Sequence, residues 1–245
     1  MGNASGGRWR VTTVPPSLLQ LTPGAHVVVL AGGAPVPAEL AASLPPTDAV
    51  LAADGGLHLA QTLGLRVDAV VGDLDSVDPD LLAAAEAAGT RTDRHPVDKD
   101  RTDLAIALDA AVASGAGAIT VVGGTGGRLD HLVANALLLA APAYAEVTVQ
   151  LRAGDGTVTV VHDRMTLHGQ PGDLVSLLPV HGRVEGVTTE GLRFPLDGEP
   201  LGPGSSRGVS NRFAAPTATV RLTAGTLLAV QPATAPPPTE TRTTP

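Results

Sequence analysis

Short apolar runs punctuate the chain from residue 25 to about 150. His26–Leu30 (HVVVL), Asp48–Ala52, Val67–Val71, Ile119–Val122 and Val147–Leu151 each read as a buried strand bounded by turn residues. Between them, Leu57–Leu63, Pro79–Ala88, Asp103–Ala113 and Asp130–Ala140 read as helices. Leu104, Leu108, Ala111 and Val112 fall on helical spacing, as do Leu132, Val133, Ala136 and Leu137. Such alternation predicts a parallel sheet covered on both faces.

From about 155 the pattern changes. Thr157–Val161, Leu174–Leu178, Arg183–Thr188, Ala218–Leu222 and Leu227–Val230 read as short strands. Turn residues separate them: Gly169, Pro171-Gly172, His181-Gly182, Gly198 and Gly202-Pro203-Gly204. This predicts an antiparallel β-sandwich. The expected organisation is a flexible arm over 1–24, an α/β unit over 25–153, a sandwich over 154–231 and a disordered Pro/Thr-rich tail over 232–245. Trp9 is the one residue of the arm with a large surface to dock.

Composition narrows the chemistry. The 245 residues are 43% hydrophobic but only 2% aromatic, so Val, Leu and Ala must fill the core. No cysteine is present, which excludes disulfides, thiolate nucleophiles and Cys-ligated zinc. No apolar run approaches the roughly 18–20 residues that span a bilayer. Met1–Gly7 lacks a basic start or an apolar signal core. A cytoplasmic protein without a membrane partner is expected. The net charge of −8 argues against a nucleic-acid partner, which needs a basic face. Lys99 is the single lysine, and it sits inside an acidic segment.

The polar motifs follow the predicted strands. In open α/β sheets, ligands bind outside the carboxyl ends of the strands. Asp54-Gly55-Gly56 follows one strand, Gly72-Asp73-Leu74-Asp75-Ser76 the next, and Gly123-Gly124-Thr125-Gly126-Gly127-Arg128-Leu129-Asp130-His131 a third. All three should crowd one sheet edge, with Asp98, Asp100 and Asp103 nearby. Two like charges 4 Å apart cost about 4 kcal/mol at an effective dielectric of ~20. A counter-ion is therefore expected, and carboxylates suit Mg²⁺. Asp78, Asp80 and Asp98 fit helix caps and turns instead.

Gly123–Gly127 offers consecutive backbone N–H groups to an anion, and Arg128 a planar fork for phosphate. A plain tight turn is the alternative. Neither the Walker A nor the dinucleotide-binding spacing is present. Thr102 is a candidate N-cap. Lys99 and Arg101 either reach a phosphate or lie on a solvated surface. His58 and His131 fall in first helical turns, as ordinary polar residues or as catalysts.

Taken together, Ala53-Asp54-Gly55-Gly56, Gly72-Asp73-Leu74-Asp75-Ser76, the Asp98–Asp103 segment and Gly126-Gly127-Arg128-Leu129-Asp130-His131 resemble the thiamine pyrophosphokinases in kind and in order. Gly191-Leu192-Arg193-Phe194-Pro195-Leu196 and Ser210-Asn211 resemble that family's thiamine-binding β-domain. The resemblance covers about residues 25–231. It implies a Rossmann-like parallel-sheet catalytic domain, a smaller antiparallel β-sandwich, and a homodimer whose thiamine site is shared between subunits. It implies transfer of a pyrophosphoryl group from ATP to the thiamine hydroxyl, with Mg²⁺ held by Asp73, Asp75 and Asp103. Asp54 is implied as a metal-site or thiamine-hydroxyl contact, and Arg128 as a catalytic cation. Lys99, Asp100, Thr102, Gly126, Gly127, Arg128, Asp130 and His131 are implied at ATP. Asp54, Phe194, Ser210 and Asn211 are implied at thiamine, with Phe194 stacking on the cation or else packing in the core. Three positions depart from the family pattern. Lys99 stands where many members carry glutamine, Ile106 where lysine is common, and Phe194 where tryptophan is frequent.

Two other readings are weighed by residues. Val70–Val77 resembles the Asp-x-Asp motif of haloacid-dehalogenase phosphatases, which would make Asp73 a nucleophile. That fold also needs a later acidic pair after an apolar strand, which this sequence lacks. A sensor binding ATP or thiamine without turnover would not need so many metal-type carboxylates.

Overall fold

The computed structural model describes residues 18–126, 128–154 and 156–233. Trp9, Gly127 and the tail beyond Ala233 lie outside these residues, so the expectations placed on them are not addressed.

Six strands form the parallel part of the sheet. They are β1 (Ala25–Ala31), β2 (Ala49–Ala53), β3 (Ala69–Gly72), β4 (Arg91–Arg94), β5 (Ala116–Gly123) and β6 (Thr148–Ala153), in spatial order β4-β3-β2-β1-β5-β6. Every neighbouring pair among them runs parallel. β2 and β3 are buried along their whole length, and β1 nearly so, as expected of strands covered on both faces. Val27, Val29, Leu51 and Val71 face a core completed by Leu104, Ala107 and Leu108 of α3 (Asp103–Ala113). Val28, Leu30, Val50 and Val70 face a second core with Leu57 and Ala60 of α1 (Gly56–Leu63) and Leu82 of α2 (Pro79–Ala87). Period-two alternation thus feeds two layers from the same strands. The fourth helix, α4 (Leu129–Leu139), connects β5 to β6. Strand order reverses at β1, between β2 and β5, which creates a crevice beyond their carboxyl ends.

At β6 the sheet continues in another sense. β6 turns back into β7 (Gly156–Val161) antiparallel, and β7 pairs with β13 (Ala224–Pro232). β9 (Leu174–Glu190) joins the two layers of the sandwich. Its first half pairs with β13 over Ser176–Val180, and its last residues pair with β12 (Thr217–Arg221). β12 in turn pairs with β8 (Arg164–His168). Short β10 (Glu199–Leu201) and β11 (Asn211–Arg212) flank β9. Val175, Leu177, Val187, Phe213, Val220 and Leu227 close the sandwich core.

Several sequence expectations are corrected here. His181-Gly182 was read as a turn between two strands, but it lies within the single strand β9. His181 (φ 60°), Gly182 (φ 138°) and Gly186 (φ 63°) bend that strand, so it serves both layers without a break. β4 was not expected, because Arg-Thr-Asp-Arg has no apolar residue; it is a charged edge strand. β8, β10 and β11 were also not expected. The last part of the expected loose arm is docked. Leu19 is buried, its N–H donates to Ser114 Oγ at 3.2 Å, and Leu18 O accepts from Arg91 Nη1 at 2.8 Å.

Candidate active site

The carboxyl ends of β2 and β3 and the start of α3 bring three aspartates together. Ligand oxygens of Asp54, Asp73 and Asp103 all lie within 4.8 Å of one another. Backbone geometry makes this possible. Gly72 has φ 141°, and a Cβ there would stand 3.0 Å from Asp103 Oδ1 and 3.1 Å from Asp54 Cβ. Asp54 (φ 44°) and Leu74 (φ 62°) adopt left-handed conformations that cost non-glycine residues on the order of 1 kcal/mol or more. Asp54 N–H donates to Val71 O at 2.8 Å, and Ser76 Oγ donates to Asp54 Oδ2. Asp54 Oδ1 and Asp103 Oδ1 are buried without a hydrogen-bond partner. Buried carboxylate oxygens left over in this way, aimed into an acidic cluster, fit a hard divalent cation.

The triad differs by one member from the expected metal set of Asp73, Asp75 and Asp103. The left-handed turn at Leu74 leaves Asp75 exposed on the solvent side, outside the triad. Asp75 still feels the site: the negative charge of Asp73 raises its pKa.

Lys99 reaches into the cluster. Its Nζ donates to Asp73 Oδ2 at 2.7 Å and lies 3.0 Å from Asp103 Oδ1. The second approach is an ion pair between residues four apart in the chain. The hydrogen bond from Lys99 holds the Asp73 carboxyl below the usual carboxylate range. Burial opposes the charge on Lys99, but the two aspartates outweigh it and raise its pKa. Arg101 does not share this site. Its guanidinium binds Asp109 and donates to Ala105 O at 3.0 Å. Thr102 Oγ1 accepts from Ala105 N–H at 3.2 Å, as the N-cap of α3. Asp100 is exposed beside them.

A cleft of about 400 Å³ adjoins the crevice where strand order reverses, lined by Gly32, Gly33, Ala34, Gly124, Gly126, Arg128, His131 and Asn135. Ala34 N–H donates to Thr125 O at 2.6 Å, which seats the loop after β1 on the loop after β5. Gly126 (φ 83°) is required at this junction, because a Cβ there would fall 2.4 Å from Ala34 Cβ. Asn135 is buried and its Nδ2 donates to Gly124 O at 2.8 Å. α4 starts at this cleft, and its N-cap residue Arg128 makes no side-chain cap hydrogen bond to the first turn. Arg128 lies at the rim, forked onto Asp130 with Nε–Oδ1 3.2 Å and Nη2–Oδ2 2.5 Å. That fork holds Asp130 at about 2. His131 is exposed on the same lining. His58 is occupied elsewhere, its Nε2 accepting from Asp78 N–H at 3.3 Å. Asp78 itself caps α2 through Asp80 N and Leu81 N.

Sequence reasoning missed Gly32, Gly33, Ala34, Asn135 and the bracing hydroxyl of Ser76. The signal for the first three was available: two glycines directly after the most apolar strand mark a close backbone approach.

The sandwich carries a second cleft of about 380 Å³, lined by residues from Phe194 to Asn211. Phe194 is 53% exposed there, whereas Phe213 is buried in the core. The guanidinium of Arg193 lies 5.6 Å above the Phe194 ring. Arg207 is forked onto Glu199 at 2.7 and 3.0 Å. Asn211 lines the cleft, yet its amide is committed to the fold. Oδ1 accepts from Phe194 N–H (3.1 Å) and Arg212 N–H (2.8 Å), and Nδ2 donates to Phe194 O (2.7 Å). Ser210 (φ 58°) donates its N–H to Ser176 Oγ at 3.0 Å.

An acidic triad and a glycine-lined cleft at the same carboxyl edge of an α/β sheet are suited to phosphate-bearing substrates. Comparison with known proteins makes the class specific. Residues 41–151 match the family described as thiamin pyrophosphokinase, catalytic domain, and residues 163–227 match thiamin pyrophosphokinase, vitamin B1 binding domain. A thiamine pyrophosphokinase of Bacillus subtilis (strain 168) is 25% identical over 170 residues, covering 65% of this chain and 76% of the relative. The solved thiamin pyrophosphokinase of Geobacillus thermodenitrificans superposes with a TM-score of 0.73 at 27% identity, covering 86% of this chain and 98% of that one. That of Candida albicans, at 15% identity, shares the fold, with a TM-score of 0.68 over 89% of this chain and 97% of its own.

The chain therefore belongs to the thiamin pyrophosphokinase family. It is a kinase-class transferase of the pyrophosphokinase type, with thiamine as acceptor.

Proposed function

We propose that the parallel-sheet unit, residues 25–153, binds ATP with Mg²⁺, and that the sandwich, residues 154–231, binds thiamine. The thiamine hydroxyl attacks the β-phosphorus of ATP in line. A new O–Pβ bond forms, the bond from Pβ to the α-phosphate oxygen breaks, and AMP leaves with thiamine diphosphate as the other product. The observation that carries this reading is the convergence of Asp54, Asp73 and Asp103 oxygens within 4.8 Å of one another, with Asp54 Oδ1 buried and without a hydrogen-bond partner. Asp54, Asp73 and Asp103 hold the metal, with Asp75 flanking them on the solvent side. Bound Mg²⁺ neutralises phosphate charge in such reactions. The protein then contributes mainly positioning. Gly126 and the first amides of α4 receive phosphate oxygens. Arg128 leaves Asp130 to do the same. One of the carboxylates at this edge accepts the hydroxyl proton.

Phe194 stacks on the cationic thiamine, and Asn211 fixes the Phe194 backbone in place. Ser210, exposed next to Asn211, offers a further hydroxyl to thiamine. The protein acts as a cytoplasmic homodimer, with the sandwich of one subunit closing over the acidic edge of the other. Two features support the dimer. Among the described residues, none lines both clefts. α4 also exposes Leu129, Val133 and Leu137 at four-residue spacing, an apolar stripe suited to a partner.

The test is an AMP-release assay with purified protein and Mg·ATP. Thiamine should stimulate AMP formation strongly, and thiamine monophosphate should not. Absence of AMP with every acceptor would overturn the reading. A covalent phosphate trapped on Asp73 would favour the phosphatase alternative instead.

A further inference from the structure

The single lysine of the chain stands inside the carboxylate cluster. The Lys99 side chain is 13% exposed, and its Nζ is shared by Asp73 Oδ2 at 2.7 Å and Asp103 Oδ1 at 3.0 Å. These are two of the three residues whose oxygens converge within 4.8 Å. Among the described residues, no other cationic side chain forms an ion pair with the triad. The backbone carrying Lys99 is pinned close by. Arg101 is tied to Asp109 and Ala105 O, Asp109 accepts from the buried Tyr144 hydroxyl at 2.7 Å, and Thr102 caps α3. The four-carbon stem of Lys99 can move the charge while the helix start that follows it stays in place.

We propose that Lys99 is a tethered stand-in cation: in the metal-free protein its ammonium occupies the carboxylate oxygens that a divalent ion uses, so that metal and lysine compete for Asp73 and Asp103. The proposal rests on the metal reading above. The lysine keeps the repelling carboxylates converged before the metal arrives, and it weakens metal binding by the same contact. A like charge a few ångströms from an incoming divalent ion lowers its affinity by at least about tenfold, even with strong solvent screening.

Because Lys99 is unique, the unaltered protein reports on it directly. Lysine labelled with ¹³C at Cε gives one signal. Titration with Mg²⁺ alone should move that signal from an ordered to a solvent-like position. K99Q should bind Mn²⁺ at least about tenfold more tightly than wild type by electron paramagnetic resonance. K99Q should also melt earlier than wild type in EDTA, with the gap closing at saturating Mn²⁺.

An unmoved lysine signal at saturating Mg²⁺, or equal or weaker Mn²⁺ binding by K99Q, would overturn the proposal and leave the metal reading standing. Unchanged Mn²⁺ affinity with weaker binding of α,β-methylene ATP would overturn it by assigning Lys99 to phosphate. No Mn²⁺ or Mg²⁺ response in either protein would overturn the metal reading, and this inference with it. If K99Q does not fold, the lysine signal in wild type decides alone.

Discussion

The two clefts are built in opposite ways. At the edge of the parallel sheet, strands hidden on both faces end in short turns, and each turn delivers one charged side chain or one run of amides. Asp54, Asp73 and Gly124 follow three different strands and share one sheet edge because the strands are parallel. In the sandwich, the cleft is made by the irregular chain between β9 and β12. Polar side chains there are mostly committed to holding that chain, as Asn211 holds Phe194 and Arg207 holds Glu199. One cleft is electrostatic and prearranged by topology. The other is a shaped surface with an aromatic face.

This difference sets what substitutions should do. The largest effect is expected at the acidic edge. Asp73→Asn should lower kcat on the order of a thousandfold with little change in thiamine KM, because the lost interaction concerns the reacting phosphates. Steady-state kinetics would check it, and a wild-type rate would refute the metal role of Asp73.

Gly126→Ala forces a Cβ into Ala34 at a left-handed position. It should raise the ATP KM roughly ten- to a hundredfold by displacing the cradle, with thiamine KM little changed. Equal shifts for both substrates would mean that the two clefts are not separable.

The chain has two phenylalanines, and they should divide the sandwich between function and stability. Phe194→Ala should raise thiamine KM about tenfold through the lost aromatic face, with a stability change under about 1 kcal/mol, since the ring is half exposed. Phe213→Ala should cost about 3–5 kcal/mol of stability, read from denaturant unfolding. A destabilised Phe194→Ala with normal thiamine KM would return Phe194 to a packing role.

The smallest effect concerns the prop behind the acidic edge. Tyr144, the only tyrosine, is pushed up by burial and then by its hydrogen bond to Asp109. A raised pKa means that the fold favours the neutral phenol. That contribution is complete below the ordinary tyrosine value of about 10 and is lost as pH rises beyond it. Alkaline absorbance titration should show no tyrosinate near pH ~10 while the protein is folded, and its appearance together with unfolding at higher pH. Early titration in the native state would show that the Tyr144–Asp109 contact is loose.

How far the sequence disclosed this arrangement also differs between the two regions. Apolar runs such as HVVVL and helical spacing around Leu104 and Leu108 revealed the parallel layers. The rule for strand carboxyl ends then located Asp54, Asp73 and Asp103. Sequence spacing does not show the left-handed turn at Leu74, after which Asp75 stands exposed next to the triad. The destinations of Arg101 and Asn211 were also hidden. Both are polar residues near a motif, and their commitment to Asp109 and to the Phe194 backbone depends on tertiary geometry. β4 carries no apolar signal, and bulges within β9 look like a turn when only glycine is counted.

The central claim is that the acidic edge transfers pyrophosphate, not a single phosphate, to thiamine. ATP labelled in its β-phosphate tests this directly, with wild type and Asp73→Asn compared side by side. The expected result for wild type is label in thiamine diphosphate, with unlabelled AMP formed in equal amount, and neither product for Asp73→Asn. Label recovered in ADP or inorganic phosphate without AMP, or undiminished transfer by Asp73→Asn, would contradict the account.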